Sequence, residues 1–120
     1  PDKTKLRFEI PGMQYRDHNT HSKDYFTGVF DPTLDEIDVS FDELTGLAAT
    51  VTDSARDLRL TLSYNSSYAR LVFWTLKGKD FYCLEPWTAP RNALNTGAHL
   101  IYLPPGASCE MLVRMTATFF

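Results

Sequence analysis

From Leu58 the chain reads LRLTLSY, with Leu58, Leu60, Leu62 and Tyr64 on one side of an extended backbone and Arg59, Thr61 and Ser63 on the other. Successive strand residues point to opposite faces, so this period of two predicts a half-buried strand. Asn65, Ser66 and Ser67 supply a turn, after which YARLVFWTL reads as a β-branched and aromatic strand up to Lys77 and Gly78, where KGKD turns the chain back. Residues 58–84 are therefore expected to form three consecutive strands joined by tight turns, adjacent in one sheet.

The C-terminal run CEMLVRMTATFF alternates again. Met111, Val113, Met115, Ala117 and Phe119 face one way, and Leu112, Arg114, Thr116 and Thr118 the other, after a PPGAS loop. Residues 5–10, 47–52 and 99–103 are further candidate strands. One stretch differs: in LDEIDVSFDEL, Leu34, Ile37, Phe41 and Leu44 recur at helical spacing behind Pro32, which suits a first helical turn, while an irregular acidic loop anchored by these residues fits as well. With no repeat, low-complexity tract or linker, the pattern points to an all-β antiparallel sandwich, or part of one, in a single segment spanning residues 1–120.

Composition narrows the function classes. The chain is 43% hydrophobic and 22% charged and has no run of about 18 apolar residues, so neither disorder nor a membrane-spanning helix is expected. A net charge of -3 with scattered Lys and Arg gives no basic patch for nucleic acid or an anionic membrane. Cys83 and Cys109 lie too far apart for close metal-ligand spacing and are expected to be buried thiols. They and the lack of a targeting signal suggest the cytoplasm, although Asn65-Ser66-Ser67 has the N-glycosylation pattern.

The stretch FYCLEPWTAP holds the candidate chemistry. Glu85 ends an apolar run, and Pro86 holds it in extended backbone while removing one donor. Desolvation there would favour the protonated carboxyl and bring its proton exchange toward neutral pH. The plainer alternative is a strand-end carboxylate tied to backbone donors or to Arg91. Trp87 adds an aromatic face beside a carboxylate, a combination that suits sugars, whose C–H face lies on the ring while their hydroxyls donate to the oxygens. Thr88, Asn92, Asn95 and Thr96 follow with more hydrogen-bonding capacity than a connection needs.

LVFWT, then FYCLEPWTAPRNALNTG, then LIYLPPGAS, in this order over residues 34–118, resembles the C-terminal portion of the aldose 1-epimerase, or galactose mutarotase, superfamily. The resemblance implies a β-supersandwich, here as the C-terminal part of a domain of roughly 300 residues, near the upper size for one hydrophobic core. It implies that Glu85 is the general base toward the anomeric hydroxyl of a pyranose, an aldohexose or a hexose 6-phosphate. A histidine supplies the acid at the ring oxygen, and no metal or cofactor takes part. Asp38, in an Asp-x-x-Phe motif with Phe41, would bind sugar hydroxyls; read without the resemblance, it caps a turn between Ile37 and Phe41. The family's His-x-Tyr-Phe motif has no counterpart here, and His18, His21 and His99 are not substitutes for it, since loop histidines usually face solvent or bond locally. The segment alone is thus expected to be inactive, and to expose apolar faces that associate with the missing N-terminal part or another copy.

Arg91 is the single nearby candidate for a sugar phosphate. A non-catalytic carbohydrate-binding sandwich is the main alternative, followed by an interaction domain in which Glu85 and Trp87 are structural. A glycosidase using Asp38 and Glu85 as its carboxylate pair ranks lower.

Overall fold

The computed structural model describes residues 1–120 and is built from nine strands, all paired antiparallel. They are β1 (Leu6–Glu9), β2 (Gln14–Asp17), β3 (Lys23–Tyr25), β4 (Glu36–Phe41), β5 (Ala48–Asp53), β6 (Leu58–Tyr64), β7 (Arg70–Leu76), β8 (Cys83–Trp87) and β9 (Val113–Phe119). A four-stranded sheet has the order β1-β5-β6-β9 and a five-stranded sheet the order β3-β2-β4-β7-β8. The two pack as an all-β sandwich. Helix is confined to a 3₁₀ turn at Lys3–Lys5 and a single α-helical turn, α1 (Ala93–Thr96), so no helix is long and apolar enough to cross a membrane.

The core lies where the inward positions of the two sheets meet. Leu6, Phe8, Val51, Leu62 and Tyr64 come from one sheet, and Ile37, Val39, Phe41, Leu71 and Phe73 from the other. Phe8 bridges the layers, with its ring edge-on to Phe73 and to Phe30, each at 5.0 Å, while Phe30 stacks on Phe73 at 4.1 Å. Each fully buried side chain of this size contributes about 1.5–3 kcal/mol relative to exposure.

Four expectations are corrected. Residues 34–44 hold the strand β4 and no helix: Ile37, Val39 and Phe41 alternate inward and are buried, while Leu34 is exposed. The step of four from Ile37 to Phe41 fits a period of two as well as one of 3.6, and the β-branched residues on the intervening ladder favour the strand. Residues 58–84 do not lie in one sheet, because β6 belongs to the four-stranded sheet and β7 and β8 to the five-stranded one. The Asn65–Ser67 turn is a crossing between layers. It is pinned by Asn65 Nδ2 and Ser67 Oγ donating to the Glu110 carbonyl at 2.8 and 2.9 Å.

Residues 99–103 form no strand, since their backbone finds no ladder partner and lies in the long connection from α1 to β9. Cys109 sits in that connection and is exposed, and Cys83 is half-buried; both thiols are free. Residues 5–10 and 47–52 do contain strands, β1 and β5, and the C-terminal alternation is that of β9.

Candidate functional site

Because Ile37, Val39, Phe41, Leu71 and Phe73 point into the core, their neighbours in sequence point out, and the outer face of the five-stranded sheet becomes polar. Register makes this explicit. Arg16 pairs with Ser40, Ser40 with Val72 and Val72 with Glu85, so one row runs across β2, β4, β7 and β8. On one side of it Asp38 pairs with Trp74 and Trp74 with Cys83; on the other, Arg70 pairs with Trp87.

Above this face lies a cleft of about 190 Å³, lined by Arg16, His18, Ser40, Asp42, Arg70, Val72, Trp87, Pro90 and Arg91. Ser40 and Val72 are buried although they face outward, because the longer side chains lining the cleft stand around them. Arg91 returns over the sheet just before Asn92, which adopts the left-handed conformation (φ 62°, ψ 19°) that Asn tolerates better than most residues.

Arg91 links the residues singled out from the sequence. Its Nη2 donates to both Asp38 oxygens, at 2.7 and 2.9 Å, and its guanidinium carbon sits 5.7 Å from the centre of the Trp87 ring. Trp87 in turn donates its indole N–H to Glu85 Oε2 at 2.8 Å. A continuous chain of contacts thus runs Asp38–Arg91–Trp87–Glu85. Glu85 is tied to neither a backbone donor nor Arg91, and Asp38 caps no turn: it stands mid-strand on β4, where its carboxylate meets Arg91. Glu85 and Asp38 border the cleft and do not line it.

A second charge pair forms the other side. Arg70 Nη1 donates to Asp42 Oδ1 at 2.9 Å, and Arg16 Nε lies 3.7 Å from Oδ2. The Arg70 side chain is only 10% exposed, and its Nε–H has no partner, so a buried donor is left over at the floor of the cleft.

His18, read as a loop histidine that faces solvent or bonds locally, is partly buried, hydrogen-bonded and part of the cleft lining. Its Nε2 is 2.9 Å from Ser40 Oγ, and its backbone N–H donates to the Asp38 carbonyl at 2.9 Å. The turn that carries it is set by Asp17, whose Oδ1 accepts from the backbone of Asn19 and Thr20. Burial, and next the positive charge of Arg91, hold the imidazole below its ordinary value of 6.5, against the pull of Asp38 and Asp42. His18 is therefore neutral at pH 7. As pH falls below 6.5 the unfolded chain takes up the proton before the folded one does, so this residue removes stability until its own folded pKa is passed. An NMR titration of the imidazole should give a midpoint under 6.5; a midpoint above it would contradict this arrangement.

His21 and His99 are exposed, each with positive φ, and lie outside the cleft. Around α1, Asn95 donates to the Asn92 side-chain oxygen and Thr96 Oγ1 accepts from the Ala98 backbone N–H, so part of the polar capacity of this loop is used locally. Burial, and secondarily Glu85, push the Cys83 thiol above its ordinary value of 9.0, which leaves it a poor nucleophile at neutral pH. Of the members missed from sequence, Arg16, Ser40 and Arg70 come from β2, β4 and β7, His18 from the turn after β2, and Asp42 from the residue just past β4. The signal for most of them was the alternation in QYRD and DVSFD, once the inward residues are known.

No family model matches the chain, and neither does any curated protein. Among solved structures, the chain is similar to the crystal structure of the Slr1438 protein from Synechocystis sp. PCC 6803. The TM-score is 0.94 at 33% sequence identity, covering 100% of this chain and 42% of that one. The chain thus spans less than half the length of that structure.

Proposed function

We propose that the cleft binds a pyranose sugar, and that this chain is the C-terminal part of an aldose 1-epimerase-like isomerase interconverting α and β anomers. The observation that carries the reading is the Asp38–Arg91–Trp87–Glu85 chain of contacts on one rigid sheet face. Two carboxylates beside an aromatic ring can accept sugar hydroxyl protons while the ring covers apolar C–H surface. The order of the LVFWT, CLEPWT and PPG motifs supports it independently.

Anomer exchange requires a proton to leave the C1 hydroxyl and another to reach the ring oxygen, after which the ring opens, the C1–C2 bond rotates and the ring recloses. Glu85 is the proton acceptor. Trp87 holds one of its oxygens at 2.8 Å and leaves the other for the substrate. Asp38 fixes hydroxyls on the opposite side of Trp87, and the acid comes from residues of the longer protein. Arg16, Arg70 and Arg91 are offset by Asp38, Asp42 and Glu85, a balance that favours an unphosphorylated aldose over a sugar phosphate.

A non-catalytic carbohydrate-binding sandwich is the second reading, favoured by one fact: the Glu85 carboxylate is already engaged by the Trp87 indole. The two readings share the binding step. In the W74F variant, Trp87 is the single tryptophan, and titration with D-glucose and D-galactose should change its fluorescence saturably. Asp38→Asn should weaken binding by about 10- to 100-fold, because a hydrogen bond to a charged group contributes about 1.5–3 kcal/mol. Fluorescence indifferent to both sugars would end the carbohydrate reading. Saturable binding without anomer exchange in the longer protein would select the non-catalytic one.

A further inference from the structure

The charges around the cleft balance in total but are unevenly placed. At the Asp38 end one guanidinium, that of Arg91, stands with two carboxylates, Asp38 directly and Glu85 through Trp87. At the Asp42 end the proportion is reversed, because the guanidiniums of Arg70 and Arg16 share the one carboxylate of Asp42. Past Arg16 the register continues to Lys23 on β3, and Glu43 beside it offsets that further charge. His18, bonded to Ser40, is neutral at pH 7 and leaves the difference as it is. The Asp42 end is therefore short of one negative charge.

The donors there are not used up either. Arg16 Nε lies 3.7 Å from Asp42 Oδ2, beyond hydrogen-bond distance, and its side chain is 45% exposed, so its fork of N–H groups is open to a ligand. Arg70 is the more telling case. Its side chain is only 10% exposed, its Nη1 is held by Asp42 at 2.9 Å, and its Nε–H at the floor of the cleft has no acceptor. A buried donor left empty costs stability, and a guanidinium anchored by one carboxylate presents the rest of its fork in a fixed plane. A planar anion with two oxygens fits such donors.

We propose that the sugar taken by this cleft is a hexuronate, whose C6 carboxylate accepts from the N–H groups that Arg16 and Arg70 leave open around Asp42. The inference rests on the sugar reading and narrows its substrate class. Register sets the direction: Arg16 and Glu85 stand at the two ends of the row Arg16, Ser40, Val72, Glu85, about 14 Å apart at the backbone. The ring lies along this row with its anomeric hydroxyl at Glu85 and with C6, beyond the ring oxygen from C1, toward the arginines. A carboxylate supplies the one charge that end lacks. A phosphate dianion would exceed it, and a neutral hexose would leave it unmatched.

The test is an NMR titration of the isotope-labelled chain with sodium D-glucuronate, sodium D-galacturonate, D-glucose, D-galactose and D-glucose 6-phosphate. Each uronate should bind at least about tenfold more tightly than the hexose of the same configuration, and glucuronate more tightly than glucose 6-phosphate. The Arg70 Nε–H resonance should shift with the uronates and stay in place with the neutral hexoses. In Arg16→Gln, which breaks no hydrogen bond of the sheet, the ratio of uronate to hexose affinity should fall to within about threefold of unity while the amide spectrum stays that of the folded chain. Arg114→Gln removes the same charge from β9, away from the cleft, and should keep the full ratio. Uronates and hexoses binding alike, glucose 6-phosphate binding more tightly than glucuronate, or an Arg16→Gln variant that keeps the preference would each overturn the uronate inference and leave the sugar reading standing. The absence of saturable shifts with every one of these compounds would overturn both.

Discussion

On the proposed mutarotase reading, replacing Glu85 with glutamine in a longer protein that contains this chain is expected to slow anomer interconversion of an aldose by about 10²–10⁴-fold, a loss of about 3–5 kcal/mol of transition-state stabilisation. The substitution keeps the side-chain volume. It also keeps an oxygen to accept the Trp87 indole N–H, now bonded to Glu85 Oε2 at 2.8 Å, so the ring and Arg91 above it should hold their places. What disappears is the second oxygen's capacity to take a proton. Sugar affinity should therefore change little while turnover falls, the pattern of a group that acts in the transition state. Polarimetry or NMR exchange, corrected for spontaneous mutarotation, reads the effect. Turnover near that of the unaltered protein would return Glu85 to a structural role as the acceptor for Trp87.

For the fold, the largest loss is expected from Phe73→Ala, at about 3–5 kcal/mol. Phe73 is 2% exposed and lies between Phe30, stacked at 4.1 Å, and Phe8, edge-on at 5.0 Å, so it joins the two sheets. Truncation removes both ring contacts and leaves a cavity that two hydrogen-bonded sheets cannot readily close. Leu94→Ala is the control: Leu94 is 90% exposed on the α1 turn, and its loss should stay within about 0.5 kcal/mol. Urea denaturation of the two variants side by side measures the difference. Equal midpoints would mean that the Phe8–Phe30–Phe73 cluster does not bear the stability assigned to it.

The alternation of Leu58 to Tyr64 and of Val113 to Phe119 reported the correct faces, because a side-chain period of two is a local property of extended backbone. Which sheet a strand joins is not local. β6 and β7 are separated by a short turn and alternate in the same manner, but they lie in different layers, a choice made by tertiary packing and by the bonds of Asn65 and Ser67 to Glu110. The 34–44 stretch was ambiguous because Ile37 and Phe41, four residues apart, satisfy two periods at once.

At the site, Glu85 and Trp87 were legible because strand, proline and tryptophan are contiguous in sequence. Arg16, His18, Asp42 and Arg70 were not, since they meet only when β2, β4 and β7 pair, with His18 on the turn after β2 and Asp42 just past the end of β4. The pairing of Arg91 with Asp38 spans 53 residues and had no local signal at all.

The most direct measurement of the central claim, that the polar face of the five-stranded sheet is a sugar site, is amide and side-chain NMR mapping of the chain during titration with D-glucose and D-galactose. The expected result is saturable shifts at the Trp87 indole N–H, the Arg91 guanidinium, and the amides of His18, Asp38 and Glu85, with the Arg59 to Ser63 side of β6 unmoved. Spectra unchanged at the highest sugar concentration, or shifts confined to the four-stranded sheet, would contradict it.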